Sequence, residues 1–202
     1  MSQKIGILDL RISNICSLKN AVKFLGYKFE TVKEDGEINK YHKLIIPGVG
    51  TFPESIKMLK ENKLDLKLKH FLKKKKILGI CLGMQIFSKE SCEIKKTKGL
   101  NIYQDPIKKL KFIKKLPNLG FKKVKIINNK NNFRNIKNFS EFYFMHSFGV
   151  TKIKSEFIES VLEINQKKII SSIKVNNFYG AQFHPEKSRE NGLKFLNNFL
   201  YE

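Results

Sequence analysis

The sequence predicts an α/β fold built on a mostly parallel sheet. Through the first half of the chain, short apolar runs the length of buried strands alternate with segments of helical spacing. This alternation is typical of βαβ units. The second half adds further strand-like runs separated by Asn- and Lys-rich turns. Because no internal repeat or low-complexity linker divides the 202 residues, we predict a single domain over residues 1–202.

The first half supplies the predicted parallel strands. They are expected at Lys4–Leu10, Lys28–Val32, Lys43–Ile46 and Ile77–Ile80, with helices at Asn14–Leu25, Pro53–Lys60 and Leu64–Lys75. Sheets of this kind place their active sites at the carboxyl ends of the strands. The segments that directly follow two of these strands, Pro47–Gly50 and Cys81, are therefore expected at the same edge.

The second half is expected to contain more strands than helices. Strands are predicted at Ile107–Phe112, Val124–Ile127, Glu141–Phe148, Lys168–Val175 and Phe178–Phe183. The polar stretch Asn128–Asn138 is expected to be an exposed loop, and the apolar spacing of Leu193–Leu200 predicts a closing helix.

The chain is strongly basic, with 40 Lys and Arg against 18 Asp and Glu and a formal net charge of +22. Such a charge is compatible with a nucleic acid or another polyanion as partner. The lysines are scattered along the whole chain, however, which favours solvated faces over one binding surface. We therefore expect no nucleic-acid partner.

The three cysteines, Cys16, Cys81 and Cys92, predict neither a disulfide framework nor a zinc site. Their number is odd and their spacing is not that of metal ligands, so no metal is expected. Cys16 falls in a predicted helix and is expected to be a small core residue. Since no signal peptide or membrane-length apolar run is visible, we expect a soluble protein of a reducing compartment, not bound to a membrane.

The segment Ile77–Gln85 carries the first chemical signal. An apolar strand leads into Gly-x-Cys-x-Gly and then into a predicted helix, which is the pattern of a nucleophile elbow with Cys81 in the position of the nucleophile. Flanking glycines let strand and helix close around a strained residue. The helix N-terminus is expected to favour the thiolate of Cys81. The alternative is a buried cysteine between two packing glycines.

A second signal follows the last predicted strand, where His184 and Glu186 flank Pro185. Proline restricts the backbone between the two side chains and so holds them in a set relation. A histidine can accept the thiol proton of Cys81, and a carboxylate can hold the imidazole in the required tautomer. We predict that these residues form a catalytic triad.

Together, three segments resemble the class I (triad) glutamine amidotransferases. They are Pro47-Gly48-Val49-Gly50, Gly79-Ile80-Cys81-Leu82-Gly83-Met84-Gln85 and Gly180-Ala181-Gln182-Phe183-His184-Pro185-Glu186, in that order. Within this family the chain from Lys4 to Leu200 is similar to the glutaminase subunits of imidazole glycerol phosphate synthase, the HisH type. The resemblance implies a flavodoxin-like class I glutamine amidotransferase fold, with helices on both faces of the sheet and an additional antiparallel strand region.

The resemblance also implies an activity and a partner. Such subunits hydrolyse glutamine to glutamate and ammonia without a cofactor, in the cytoplasm. The ammonia passes through a channel to a cyclase subunit of (β/α)8-barrel type (HisF type), which forms a heterodimer with the glutaminase. The cyclase makes imidazole glycerol phosphate and AICAR in histidine biosynthesis.

Residue by residue, the resemblance implies that Cys81 is the nucleophile, His184 the general acid and base, and Glu186 the residue that orients it. The backbone N–H groups of Leu82 and Val49 are implied to form the oxyanion hole, the latter after a peptide flip that the partner favours. The implied substrate-binding residues are Gly48, Gly50, Gln85, Glu93, Ser147 and Phe148.

Two segments depart from the family pattern. Asp9-Leu10-Arg11-Ile12-Ser13-Asn14 stands where the family has Asp-Tyr-Gly-Met-Gly-Asn, and Pro117-Asn118-Leu119-Gly120-Phe121-Lys122 stands where it has Pro-His-Met-Gly-Trp-Asn on the partner-facing side. They leave open a paralogue that supplies ammonia for amidino-sugar synthesis in a surface-polysaccharide pathway. A further alternative is a basic polyanion-binding protein on an amidotransferase scaffold.

Overall fold

The computed structural model describes residues 4–10, 15–33, 36–48 and 50–202. The first half contains β1 (Ile5–Leu8), α1 (Cys16–Phe24), β2 (Phe29–Val32), β3 (Lys43–Ile46), α2 (Phe52–Glu61), α3 (Leu64–Leu72), β4 (Lys76–Ile80) and α4 (Leu82–Gln85). The second half contains β5 (Glu90–Ser91), β6 (Thr97–Lys98), β7 (Lys108–Lys109), β8 (Asn118–Lys123), β9 (Lys125–Ile126), β10 (Glu141–His146), β11 (Phe148–Gly149), β12 (Ile158–Ile164), β13 (Lys167–Val175), β14 (Phe178–Ala181) and α5 (Arg189–Tyr201). Short 3-10 turns cover Asn131–Phe133, Ser155–Phe157 and Pro185–Lys187.

Within the described residues, eight strands form the central sheet in the order β2-β1-β3-β4-β14-β13-β12-β9. The pairs from β2 to β14 are parallel, and the pairs from β14 to β9 are antiparallel. The sequences of β1 and β3 are almost wholly apolar and buried throughout, as expected for parallel strands covered on both faces. The predicted mostly parallel α/β fold is confirmed.

Helices cover both faces of this sheet. Successive strand residues point to opposite faces, so Leu44 packs with α2 and α3 while Ile45 packs with α1 and α5. On the second face, α5 contributes the buried residues Phe195, Leu196, Phe199 and Leu200. No helix in these ranges is long and apolar enough to cross a membrane.

A hairpin of β8 and β10 lies outside the central sheet and pairs over six residues, from Glu141 with Lys123 to His146 with Asn118. Neither β8 nor β12 is among the predicted strands. In β8, Gly120 and two lysines dilute the apolar alternation that marks a strand. β8 is extended because it pairs with β10, and a pairing with a segment distant in sequence leaves no local pattern.

Two local predictions are wrong. Cys16 is exposed because α1 turns Leu18, Ala21 and Val22 towards the core and leaves position 16 on the opposite side of the helix. The predicted exposed loop at residues 128–138 is partly buried, since the ring of Phe133 is fully covered and makes an edge contact with Phe195 of α5.

Glu159 of β12 is a buried carboxyl group, 1% exposed. Its Oε2 accepts a hydrogen bond from Ser172 Oγ at 3.0 Å, and its Oε1 accepts one from Asn131 Nδ2 at 3.5 Å. Burial raises the pKa of Glu159 from 4.5 to about 7, although Ser172, Asn131 and Lys174 act in the opposite direction. The folded state therefore retains a proton here that the unfolded state releases between these two pH values.

Replacing Glu159 by Gln should remove this pH dependence. Because the folded state binds the extra proton, stability falls as pH rises from about 4.5 through about 7, by roughly 3 kcal/mol in total. Thermal unfolding of Glu159→Gln and wild type at about pH 5 and about pH 8 measures the effect. At the higher pH the melting temperature of Glu159→Gln should rise by several degrees relative to wild type. The control Glu163→Gln, at an exposed position of the same strand, should show no such rise. If the melting temperatures of all three proteins change equally between the two pH values, the raised pKa of Glu159 is refuted.

Candidate active site

Cys81 sits in a strained turn between β4 and α4, with φ of 54° and ψ of −111°. Its N–H donates to the carbonyl of Ala181 on the neighbouring strand at 2.7 Å, and its own carbonyl accepts from the N–H groups of Met84 and Gln85 at 3.0 and 3.1 Å. A positive φ at a residue with a side chain is uncommon and costs of order 1–3 kcal/mol. The hydrogen bonds on both sides hold the backbone in this conformation.

Glycines make the turn sterically feasible. A Cβ on Gly79 would lie 2.4 Å from the carbonyl oxygen of Gly83, and a Cβ on Gly83 would lie 1.9 Å from that of Ile46. The turn is therefore packed directly against the end of β3. A Cβ on Gly48 would in turn lie 2.5 Å from the nitrogen of Gly83, so Gly48 is held against the turn as well.

The helix that follows Cys81 is very short. α4 is a single turn, and it gives way to i→i+3 bonds from Phe87 to Met84 and from Ser88 to Gln85. A macrodipole is the sum of many aligned peptide dipoles, so one turn supplies only its local N–H groups. Leu82 is the first residue of this turn, and its N–H has no partner within the helix.

The predicted pair of His184 and Glu186 follows β14. His184 Nδ1 and Glu186 Oε1 are 2.9 Å apart, and the two side chains are 4% and 10% exposed. The backbone of His184 is fixed on both sides: its N–H donates to the carbonyl of Tyr143 at 2.8 Å, and its carbonyl accepts from Ser188 Oγ at 2.6 Å. Ser188 Oγ also accepts from the N–H of Tyr143 at 2.9 Å, which ties the turn to β10.

The electrostatic setting of His184 favours its protonated form. Burial alone would lower the pKa of His184, but Cys81 and Glu186 together raise it well above its ordinary value. Nε2 of His184 is buried and, among the described residues, makes no hydrogen bond of ordinary geometry. Catalytic hydrogen bonds are often poorly aligned without substrate. His184 can therefore accept a proton from the sulfur of Cys81 and retain it.

A pocket of about 230 Å³ opens beside Cys81. Its wall includes the predicted residues Gly48, Gly50, Cys81, Leu82, Gln85, Glu93, Ser147 and Phe148. His184 and Glu186 are not part of this wall and lie behind the cysteine. The structure thus brings together the described predicted residues, while Val49 and residues 11–14 lie outside the part of the chain it describes.

Two polar side chains of the pocket have fixed orientations. Glu93 Oε2 accepts a hydrogen bond from the N–H of Phe52 at 2.9 Å, at the N-terminus of α2. Gln85 Nε2 donates to the carbonyl of Phe148 and to Gln182 Oε1, both at 2.9 Å. With both of its N–H bonds occupied, Gln85 can offer only its oxygen to a ligand.

His146, at the end of β10, is a neutral structural histidine. Burial lowers its pKa to about 4, and His184 adds to the effect, while the carbonyl of Phe148 acts against it. Its Nδ1 lies 2.8 Å from the carbonyl oxygen of Phe148, and its Nε2 lies 3.0 Å from Asn118 Nδ2. An amide N–H from Asn118 and a carbonyl acceptor at Phe148 together require the tautomer protonated on Nδ1.

Some residues of the site are not predicted from the sequence. Pro117 and Met145 line the pocket, and Gln182 Nε2 lies 3.6 Å from Cys81 Sγ. Asn118 and His146 come together through the β8–β10 pairing, which the sequence does not signal. The position of Gln182 could be inferred from the sequence. If the strand before Cys81 and the last strand are assumed to be parallel neighbours, the residues that follow them lie side by side.

A family model for glutamine amidotransferase class-I matches residues 6–202. The chain belongs to this family. It is 38% identical over 196 residues to the imidazole glycerol phosphate synthase subunit HisH of Caldanaerobacter subterraneus subsp. tengcongensis, with 96% of each chain covered. It is 37% identical over 196 residues to the subunit of the same name from Pyrococcus furiosus, with 97% of each covered. The predicted family is confirmed.

Solved structures support the fold. The structure of PurLQS from Thermotoga maritima matches with a TM-score of 0.78 at 18% identity, covering 100% of this chain and 99% of the other. A glutamine amidotransferase from the same organism matches with a TM-score of 0.67 at 13% identity, covering 99% and 97%. At these identities the likeness concerns the fold alone.

Burial and chemistry give the three cysteines different reactivities. Cys81 is buried beside the pocket, whereas Cys16 and Cys92 are exposed. A general thiol reagent should modify the two exposed cysteines, while a glutamine analogue carrying an electrophilic ketone should modify Cys81, which the pocket presents to it. Peptide mapping after each treatment measures the distribution, and free glutamine should protect Cys81 alone. Labelling by the analogue mainly at Cys16 or Cys92 would contradict the site.

Proposed function

We propose that this protein is the glutaminase subunit of an imidazole glycerol phosphate synthase. One observation carries the proposal: Cys81, in a strained turn on the wall of a pocket, is backed by the buried pair of His184 and Glu186. The HisH relatives, similar over nearly the whole chain, support the choice of subunit. The amidino-sugar and polyanion alternatives gain no support from these relatives and are not proposed.

The first half of the reaction forms a thioester. His184 accepts the proton of Cys81, and the sulfur attacks the side-chain carbonyl carbon of glutamine. The oxygen becomes an oxyanion, for which the N–H of Leu82 and that of Val49 are the proposed donors. When the intermediate collapses, the C–N bond breaks and His184 returns its proton to the leaving nitrogen, so that ammonia departs and Cys81 carries a glutamyl group.

The second half hydrolyses that thioester. His184, neutral after the first step, accepts a proton from water, and the hydroxide attacks the thioester carbon. The C–S bond breaks, glutamate is released and the thiolate is restored beside protonated His184. Glu186 stabilises the imidazolium in both halves because its carboxylate lies 2.9 Å from Nδ1.

The pocket offers complementary groups for the amino-acid part of glutamine. Glu93 supplies a negative charge and Gln85 an oxygen acceptor, which suit the α-ammonium group. The backbone at Ser147 and Phe148 is the proposed contact for the α-carboxylate. The carbonyl of Phe148 points away from it, since that oxygen already accepts from His146 and Gln85.

The proposed acceptor of the ammonia is a partner subunit. We infer a heterodimer with a (β/α)8-barrel cyclase of HisF type, in which ammonia crosses the interface to form imidazole glycerol phosphate and AICAR, and we expect the complex in the cytoplasm. Ammonia transfer between subunits requires that glutamine hydrolysis be timed by the partner. The Pro47–Gly50 segment, in which Gly48 packs on the Cys81 turn, is the proposed element through which the partner acts.

Cys81→Ala should abolish glutamine hydrolysis by the complex. Removing the nucleophile of a catalytic triad costs about a millionfold in kcat in a well-studied protease. Ammonia supplied in solution should still support the cyclase reaction, because the partner's site is untouched. The exposed Cys92→Ala serves as the matched control and should retain full activity. Appreciable glutaminase activity in Cys81→Ala would overturn the assignment of the nucleophile.

The isolated chain should hydrolyse glutamine slowly. If the segment around Val49 rests with a carbonyl rather than an N–H towards the oxyanion, one donor is missing, which costs roughly a hundred- to a thousandfold in rate. Steady-state glutaminase activity is measured for the chain alone, with its cyclase subunit, and with the cyclase and its substrate. Stepwise activation is expected. Full activity of the isolated chain would mean that the oxyanion hole is already formed.

A further inference from the structure

Gln182 lies beside the proposed nucleophile because of strand register. β4 and β14 are parallel neighbours, with Ile80 opposite Ala181, so the residues that follow them leave the sheet side by side. Gln182 is fully buried, and its Nε2 lies 3.6 Å from the sulfur of Cys81. This is an amide donor to sulfur from a side chain that has no role in the mechanism described above.

Neighbouring hydrogen bonds fix which end of the Gln182 amide faces the sulfur. Gln182 Oε1 accepts from Gln85 Nε2 at 2.9 Å, so its Nε2 must point towards Cys81. Gln85 cannot reverse its own amide, because its second N–H donates to the carbonyl of Phe148. Each donor in this series meets an acceptor, which leaves one consistent orientation for both glutamines.

The series extends to the β8–β10 hairpin. The carbonyl of Phe148 also accepts from His146 Nδ1, and His146 Nε2 accepts from Asn118 Nδ2. Asn118 and His146 are directly opposite each other in the hairpin. The orientation of the Gln182 amide is therefore anchored, through buried hydrogen bonds, to a strand outside the central sheet. Fully satisfied buried networks of this kind specify a single geometry.

We propose that Gln182 is a positioning residue that donates a hydrogen bond to the Cys81 thiolate and holds it in the attacking rotamer. The inference rests on the proposed function of Cys81 as nucleophile. As a thiol, Cys81 Sγ accepts from Gln182 and can in addition donate to the carbonyl of Met145 at 3.9 Å. A thiolate cannot donate and would be repelled by that oxygen. Deprotonation therefore removes the interaction with Met145 and keeps the hydrogen bond from the N–H of Gln182.

The test measures the thiolate of Cys81 directly. In a chain carrying Cys16→Ser and Cys92→Ser, the rate of Cys81 alkylation by iodoacetamide is followed against pH. A hydrogen bond to the thiolate favours the thiolate. In Gln182→Met the rise of the alkylation rate should therefore occur about one pH unit higher than in wild type, which corresponds to a roughly tenfold loss of thiolate at pH values below that rise. Gln182→Glu, which places a carboxylate beside the sulfur, should move it further.

Two further variants separate positioning from a general structural effect. Gln182→Asn keeps the amide but withdraws it from the sulfur by one methylene, so it should also shift the alkylation profile. This variant provides the test if Gln182→Met and Gln182→Glu do not fold. Ser160→Ala removes a buried side-chain hydrogen bond to Ser171 Oγ in the same sheet but no hydrogen bond of the sulfur or of the Gln182 amide, and should leave the profile unchanged. In the assembled enzyme, Gln182→Asn should lower kcat more than it raises KM, since the interaction acts on the sulfur.

The outcomes are distinguishable. A reactive wild-type Cys81 with an unshifted profile in folded Gln182→Met, Gln182→Glu and Gln182→Asn proteins would overturn the role of Gln182 and leave the proposed function standing. An unreactive Cys81 in the wild-type chain would overturn the nucleophile and, with it, the inference. A shift in the Gln182 variants without a shift in Ser160→Ala is the expected result.

Discussion

The active site depends on the backbone conformation of Cys81. A φ of 54° with a side chain present is strained, and the strain persists because the surroundings over-determine it. The N–H of Cys81 is held by Ala181, its carbonyl is held by the following turn, and the glycines at 79 and 83 admit contacts that a Cβ would prevent. The sulfur is consequently presented to the pocket by rigid elements instead of a loop.

The strand order of the central sheet explains why distant parts of the sequence meet here. β14 lies near the end of the chain, yet it inserts between β4 and β13 and runs parallel to β4. This places His184 and Glu186 beyond the carboxyl end of the strand next to Cys81. The β8–β10 hairpin then closes the site from outside the sheet, with Tyr143 fixing His184 and Met145 lining the pocket.

Sequence reasoning succeeds where the pattern is local. The strand that leads to Cys81 is continuous and apolar, so both the strand and the turn after it are visible in the sequence, and the described residues expected around the pocket do lie together there. It fails where order comes from distant pairing. β8 is held by β10, and Phe133 is buried by α5, so neither shows a local signal. The sequence also gives no signal for the length of the helix after Cys81: α4 stops after one turn, where Phe87 and Ser88 form tighter i→i+3 hydrogen bonds.

Two histidines near Cys81, His146 on the pocket wall and His184 outside it, show how the surroundings of a side chain determine its chemistry. Both are buried, and burial lowers the pKa of an imidazole. His146 hydrogen-bonds to neutral groups, the amide of Asn118 and the carbonyl of Phe148, so burial prevails; the charge of His184 adds to it, and the pKa of His146 falls to about 4. His184 faces Glu186 and the sulfur of Cys81, whose negative charge outweighs burial and raises its pKa. Groups whose pKa values are pushed apart in this way divide the roles of a site. In the proposed mechanism His184 takes and returns a proton, whereas His146 stays neutral and donates to the carbonyl of Phe148, part of the backbone proposed to bind the substrate.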